Sequence, residues 1–286
     1  MHMRADVEHR ESALDAYVLG RTQREYERLT RQAQIWEPVT RQALERAGLE
    51  AGHSVLDAGC GSCDVMRLMA DRVGAAGRVV GMDVDAVLAG HAIEQLSQTG
   101  PDVYSFIMGD IAEVTRINQA PFDLVFARLL LFHLADPVAA LRRLWEWVRP
   151  GGTLLIMDYD ITVTRSAAQI PVIERTLRLC NDTFRRCGRD IEIGTRIPSL
   201  FIEAGIGSPD ACTVSSVMLP AAPSTHMLGD LLDSLRPQIL RHRLADQHAL
   251  TRLEFDLRAA AGSDSFMRWP DLTATWKRKP AADAMN

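Results

Sequence analysis

The sequence predicts an α/β protein built on a mostly parallel sheet with helices on both of its faces. Three observations carry that expectation. The stretch 53–85 reads as strand, tight glycine turn, helix, strand and closing acidic residue, which is one βαβ unit. Short apolar runs then recur at 103–108, 122–126 and 153–158 with helical patterns between them, the alternation that a parallel sheet requires. Finally, 286 residues with 47 % hydrophobic and 24 % charged side chains are enough for one large domain, or a core with a lid.

Taken in order, residues 1–12 read as a frayed tail. From 14 to 46 the pattern is helical, with apolar positions including Tyr17, Tyr26, Leu29, Ala33, Ile35 and Trp36. Pro38 lacks an N–H, so two helices or a kink are expected, the second covering 39–47 and ending at Gly48. Val55 and Leu56 lead to Asp57, and Gly59 and Gly61 follow two apart. Apolar residues at 65, 66, 68, 69 and 73 keep helical period, and Val79 to Met82 forms a second strand ending at Asp83. A helix is expected over 87–96, a third strand over 103–108 with Gly109-Asp110-Ile111 at its end, and a fourth over 122–126. Asp136-Pro137 opens a helix over 138–148 with proline at its first position. The turn Arg149-Pro150-Gly151-Gly152 then precedes a strand over 153–158. Beyond it come helices over 167–187 and 197–204, a strand over 212–219, a helical insertion over 224–261 kinked at Pro237, and a last strand over 266–276. Pro270 inside that last strand belongs at an edge or a bulge. The tail from Pro280 is expected to be disordered.

The glycine turn carries the chemistry. Glycines let a backbone approach a ligand with no Cβ in the way, the helix start offers unpaired N–H groups, and Asp83 can accept both hydroxyl protons of a ribose. A pyrophosphate loop wants G-x-G-x-x-G, but the sixth position from Gly59 is Asp64, the wrong charge beside two phosphates. Asp57-x-Gly59-x-Gly61-x-Cys63 instead resembles the first motif, [D/E]-x-G-x-G-x-G, of class I S-adenosylmethionine-dependent methyltransferases, with Cys63 in place of the third glycine. That resemblance implies a Rossmann-like sheet of seven strands, mostly parallel with an antiparallel last strand, and helical lid additions. It implies S-adenosylmethionine as cofactor and S-adenosylhomocysteine as product. By the same resemblance Asp57 orders the loop and the methionine end, Gly59, Cys60 and Gly61 form the turn, and Asp83 with Val84 holds the ribose. Asp110 meets the adenine amino group, Ile111 packs on the ring, and Ala127-Arg128 passes beneath the sulfonium. The run YVLGRTQREYERLTRQAQIWEPVT is similar to the N-terminal cap of bacterial small-molecule methyltransferases, which places Tyr26 nearest the cofactor; a tyrosine of the core rim is the competing reading. The expected organisation is a helical cap over 1–48, a cofactor-binding core over 49–160, and the rest of the sheet with lid insertions over 161–286.

The acceptor is less legible. Alignment of reactants and exclusion of water supply much of the rate of a methyl transfer, so the chain needs a lid more than an elaborate catalytic set. His133, in the His133-Leu134-x-Asp136-Pro137 sequence, is the titratable residue best placed as a general base, or else a structural histidine bonded to nearby backbone. Arg128 either steers an anionic substrate or caps its strand, and Tyr159, beside Asp158, is a substrate contact or a support behind one. A net charge of −5 argues against a broad nucleic-acid footprint, and no run of about 20 apolar residues suggests a membrane span. The start has no apolar signal segment, so a cytoplasmic, bacterial enzyme acting on a small molecule is expected, with a homodimer compatible with this reading. Five cysteines show no spacing for a disulfide framework or a zinc site, so no metal is expected; Cys60-x-x-Cys63 is either a redox pair or two small residues the turn requires. Two rival functions stand beside methyl transfer: a non-methylating protein that binds the same cofactor, and a nicotinamide-dependent oxidoreductase.

Overall fold

The computed structural model of the chain describes residues 18–19, 22–85, 93–94, 96 and 102–281. The expected tail over 1–12, the first turn of the opening helix, most of the helix over 87–96 and the end of the C-terminal tail lie outside the described residues.

The first helix, α1 (Gln23–Arg46), starts where the Thr22 hydroxyl accepts the Glu25 amide at 3.1 Å, and it runs unbroken through Pro38. This corrects the expectation of two helices. Pro38 and Gln34, whose carbonyl loses its partner, both face solvent, so water replaces the missing bond. The opposite side of the same turn carries Trp36, which is 0 % exposed, and its burial holds the helix together across the proline.

Strand β1 (Ser54–Ala58) leads through the glycine turn into α2 (Asp64–Val73) and β2 (Arg78–Asp83), and β3 (Tyr104–Met108) and β4 (Phe122–Arg128) follow. Helix α3 (Pro137–Glu146) begins at Asp136, whose carboxylate accepts the Ala139 amide at 2.9 Å, and β5 (Val148–Asp160) comes next. Strand β5 starts earlier than the expected 153. Gly151 and Gly152 lie inside it, and the pairing with β4 shifts register between Phe122 and Leu124. A Cβ on Gly152 would sit 2.8 Å from the Asp123 carbonyl oxygen, so only glycine lets the two strands stay paired across the irregularity.

The remainder comprises β6 (Arg165–Ser166), α4 (Pro171–Arg186), α5 (Ile193–Glu203), β7 (Ala211–Ser215), β8 (Met218–Pro220), α6 (Ala221–Arg241), α7 (Gln247–Ala260), β9 (Phe266–Arg268) and β10 (Asp271–Arg278). The large sheet has seven strands in the order β3-β2-β1-β4-β5-β10-β7. The first five run parallel, and β10 lies antiparallel between β5 and β7. Two expected strands prove to be pairs. The run over 212–219 divides into β7 and β8, and that over 266–276 into β9 and β10. In each case one half joins the large sheet and the other a small sheet of order β6-β9-β8. Pro270, with no N–H to give a ladder, stands at the second break, where the Trp269 amide bonds the Val217 carbonyl at 2.9 Å.

The sheet buries both faces. Along β4, Leu124 and Phe126 pack with Trp36, Met66 and Met69, whereas Val125 packs on the other side with Leu141, Ile197 and Phe201. Helix α5 comes so close to β5 that a Cβ on Gly194 would lie 2.6 Å from the Asp158 carbonyl oxygen and 2.8 Å from the Asp160 nitrogen. Gly194→Ala gains about 1 kcal/mol of helix propensity but forces rigid backbone apart, at about 1–3 kcal/mol or more. The expected result is a lower urea midpoint for the variant; an equal or higher one would show that the helix can step back freely.

Candidate active site

The turn after β1 is left-handed at three points. Gly59, Gly61 and Cys63 have φ of +71°, +48° and +59°. Glycine adopts this region at no steric cost, which is why the third position also favours it; the cysteine there bears local strain. The Cys63 side chain is 0 % exposed, its Sγ 3.8 Å from that of Cys60, and it fills space beneath the turn. The departure from glycine therefore leaves the open side of the turn clear.

The Gly59 and Cys60 amides both donate to the Met82 carbonyl, at 2.7 and 3.1 Å, tying the turn to β2. Asp83 closes the arrangement: its carboxylate accepts the Gly61 amide at 2.8 Å and the Asp85 amide at 2.9 Å. Burial, the largest effect, nevertheless raises its pKa. The Val84 amide adds a third backbone hydrogen bond to the same carboxylate.

A cavity of about 440 Å³ opens above this turn, within the range of small-molecule sites. It brings together Tyr26, Gly59, Cys60, Gly61, Asp83 and Val84 from the cap and the first βαβ unit. Asp110 and Ile111 reach it from the end of β3, Arg128 from β4, His133 from a short 3-10 turn (Leu131–His133), and Tyr159 from β5. Two expected residues do not line it. Ala127 is buried within β4, and Asp57 lies at the end of β1, 2 % exposed, behind the turn.

Asp57 is nonetheless the most perturbed carboxyl near the turn. Burial pushes its pKa up to about 7, with Asp83 and Asp64 adding to the rise and the Arg128 guanidinium opposing it. Its Oδ2 makes no hydrogen bond among the described residues. Arg128 donates to the Thr40 hydroxyl at 2.9 Å, and burial lowers its pKa. The Tyr26 hydroxyl donates to Asp85 at 3.3 Å, so the cap reaches across to the loop after β2. Asp110 spends one oxygen on the Ala112 amide, 2.7 Å away, which shapes the turn after β3.

His133 sits in the short turn after β4 with its ring Nδ1 buried. Burial first, then the Arg189 and Arg28 charges, push its pKa down to about 3, so the ring is neutral at pH 7 and holds a proton weakly. Its carbonyl accepts Arg189 at 2.5 Å, and Phe132 stands edge-on to it at 5.1 Å. Asp158 pins the same segment. Its carboxylate accepts the Phe132 amide at 3.0 Å and the Tyr159 amide at 2.8 Å, and burial pushes its pKa up to about 7. Burial also raises the pKa of Tyr159.

Sequence reasoning missed the far wall. Glu25 and Arg28 form a buried bidentate pair at 2.7 and 2.8 Å, Arg28 also donates to Gln32 at 2.8 Å, and Ser234 of α6 donates to Glu25 at 2.5 Å. Asp230 of α6 accepts Arg24 and Arg31 of α1 at 2.5 Å each. These bonds fasten the cap to α6. The residues lie about 200 positions apart, so the only signal was charge on two separately predicted helices. Asp85 was missed because nothing local pairs it with Tyr26.

Comparison with known proteins agrees with this geometry. A family model described as "Methyltransferase domain" matches residues 49–205. The chain is 28 % identical over 201 residues to methyltransferase GfsG of Streptomyces halstedii, covering 70 % of this chain and 69 % of that protein. Among solved structures, one described as a "putative methyltransferase" from Bacillus halodurans C-125 superposes with a TM-score of 0.58 at 14 % identity, covering 85 % of this chain and 99 % of that one. Phosphoethanolamine N-methyltransferase 2 of Haemonchus contortus, solved with S-adenosyl-L-methionine, gives 0.52 at 18 % identity, covering 85 % of this chain and 52 % of that one. At those identities the two structural likenesses concern the fold.

Proposed function

This chain belongs to the methyltransferase domain family and is a class I S-adenosylmethionine-dependent methyltransferase, and from that premise we propose that it methylates a small molecule held between the glycine turn and the helical cap. The observation that carries this reading is Asp83, fixed by the Gly61 and Asp85 amides in the wall of a cavity that Arg128, His133 and Tyr159 also line.

The residues fit the cofactor. Asp83 and Val84 would take the ribose, Asp110 and Ile111 the adenine, and the turn with Asp57 behind it the methionine end, while Tyr26 closes over from α1. The cofactor supplies a sulfonium methyl group for in-line displacement. This chain's residues align the acceptor and keep out water, which accounts for a large share of such a rate. We read His133, whose pKa burial pushes down to about 3, as a positioning residue that shapes the wall beside Tyr159. Among the described residues no helix is long and apolar enough to cross a membrane.

Calorimetry with S-adenosylhomocysteine tests the reading. In the free protein Asp57 has its pKa pushed up to about 7 from 3.8, so the folded state holds a proton that the unfolded chain releases. Stability from this group is thus lost as pH rises from about 4 to 7, and a bound ammonium favours the ionised form, releasing the proton. Affinity is expected to rise about tenfold from pH 6 to pH 8, and Asp57→Asn to flatten that dependence although Asp158 titrates in the same range. Binding of NAD with none of S-adenosylhomocysteine would overturn the assignment.

A further inference from the structure

We propose that the chamber beyond the cofactor turn takes an uncharged, predominantly hydrocarbon acceptor. The proposal rests on the methyl-transfer reading and names the substrate class for the same site. Its walls come from the helical additions: Leu177 and Phe184 of α4, Met227, Leu228 and Leu231 of α6, and Trp269 ahead of β10. The one polar atom of Trp269 is already satisfied, its Nε1 donating to the Ser224 hydroxyl at 3.1 Å.

The charges on the wall point the same way. Arg28 is neutralised in place by the bidentate Glu25 and by Gln32. Arg128 stands at the cofactor end, bonded to the Thr40 hydroxyl, with Tyr159 and Asp57 nearby. Asp83, Asp85 and Asp110 line the cofactor end, and Asp158 lies at the end of β5. A phosphate or carboxylate entering the chamber would lose its water and find Arg28 already paired with Glu25, whereas apolar surface gains by leaving water. His133 fits this picture, because burial and two arginines keep its ring neutral at pH 7. An acceptor of the phosphoethanolamine kind, as in the name of the Haemonchus contortus protein, has the wrong charge for these walls.

The test uses the full chain loaded with S-adenosylhomocysteine and titrated with N-phenyl-1-naphthylamine, a neutral fluorophore whose emission rises in apolar sites. Saturable binding that phosphoethanolamine does not displace is the expected result. Leu231→Asp, at a half-buried position, should weaken the probe by about tenfold or more by burying a charge, while S-adenosylhomocysteine binds as before. Should that variant fail to fold, Leu231→Gln reports the same change at smaller amplitude. The proposal is overturned if the native protein binds S-adenosylhomocysteine but not the probe, if phosphoethanolamine displaces the probe, or if the folded variant binds it unchanged. Probe binding without S-adenosylhomocysteine binding would uphold the apolar chamber and remove the methyl-transfer reading instead.

Discussion

Asp83→Ala is expected to reduce cofactor affinity below easy measurement. The carboxylate is the acceptor proposed for the ribose hydroxyls, and it also holds the turn open by accepting the Gly61 and Asp85 amides. Hydrogen bonds to a buried charged group contribute about 1.5–3 kcal/mol each, so a loss of roughly 2–4 kcal/mol follows even if part is recovered by water. That corresponds to roughly 30- to 700-fold in Kd. Calorimetric titration with S-adenosylhomocysteine, with circular dichroism to confirm the fold, gives the answer. An unchanged Kd in a folded variant would mean that the ribose binds elsewhere.

Glu25→Ala is expected to cost about 3–5 kcal/mol of stability, because it strands the buried Arg28 guanidinium without its bidentate partner. Ser234 would lose its acceptor at the same time, so α6 would loosen from α1 and the chamber would open on that side. The double variant Glu25→Ala/Arg28→Met removes the stranded charge and should recover most of the loss. Urea denaturation of both variants checks this. Equal destabilisation of single and double would show that the stranded Arg28 charge is not the source of the loss.

The difference between these two residues explains what could be read in advance. Asp83 was legible because its chemistry is local: glycine turn, helix and acidic strand end lie within about 30 consecutive residues, the length of a βαβ unit. The same holds for Asp110 and Ile111 at the end of β3. Glu25 was not legible as part of a wall, because its importance depends on Arg28 beside it and Ser234 far along the chain being brought together by packing. His133 shows a third case. Its place in the site was readable from its position after β4, but its weak basicity is set by burial and by Arg189 and Arg28, none of which a linear pattern contains.

The breaks in regular structure divide in the same way. Pro270 correctly marked an interruption, yet the chain's passage there from one sheet to another depends on which strand edges are free nearby. Pro38 suggested two helices or a kink; one helix runs through it, with Pro38 and Gln34 both exposed, so water replaces the bond that proline cannot make.

By itself the sequence determined the sheet, the left-handed turn and the acidic strand ends, because glycine geometry and side-chain period act over a few neighbouring residues. The tertiary structure alone decided the shape and polarity of the acceptor chamber and the basicity of His133 and Asp57. Those properties come from which distant side chains exclude water from a site, and desolvation is a property of the packed whole.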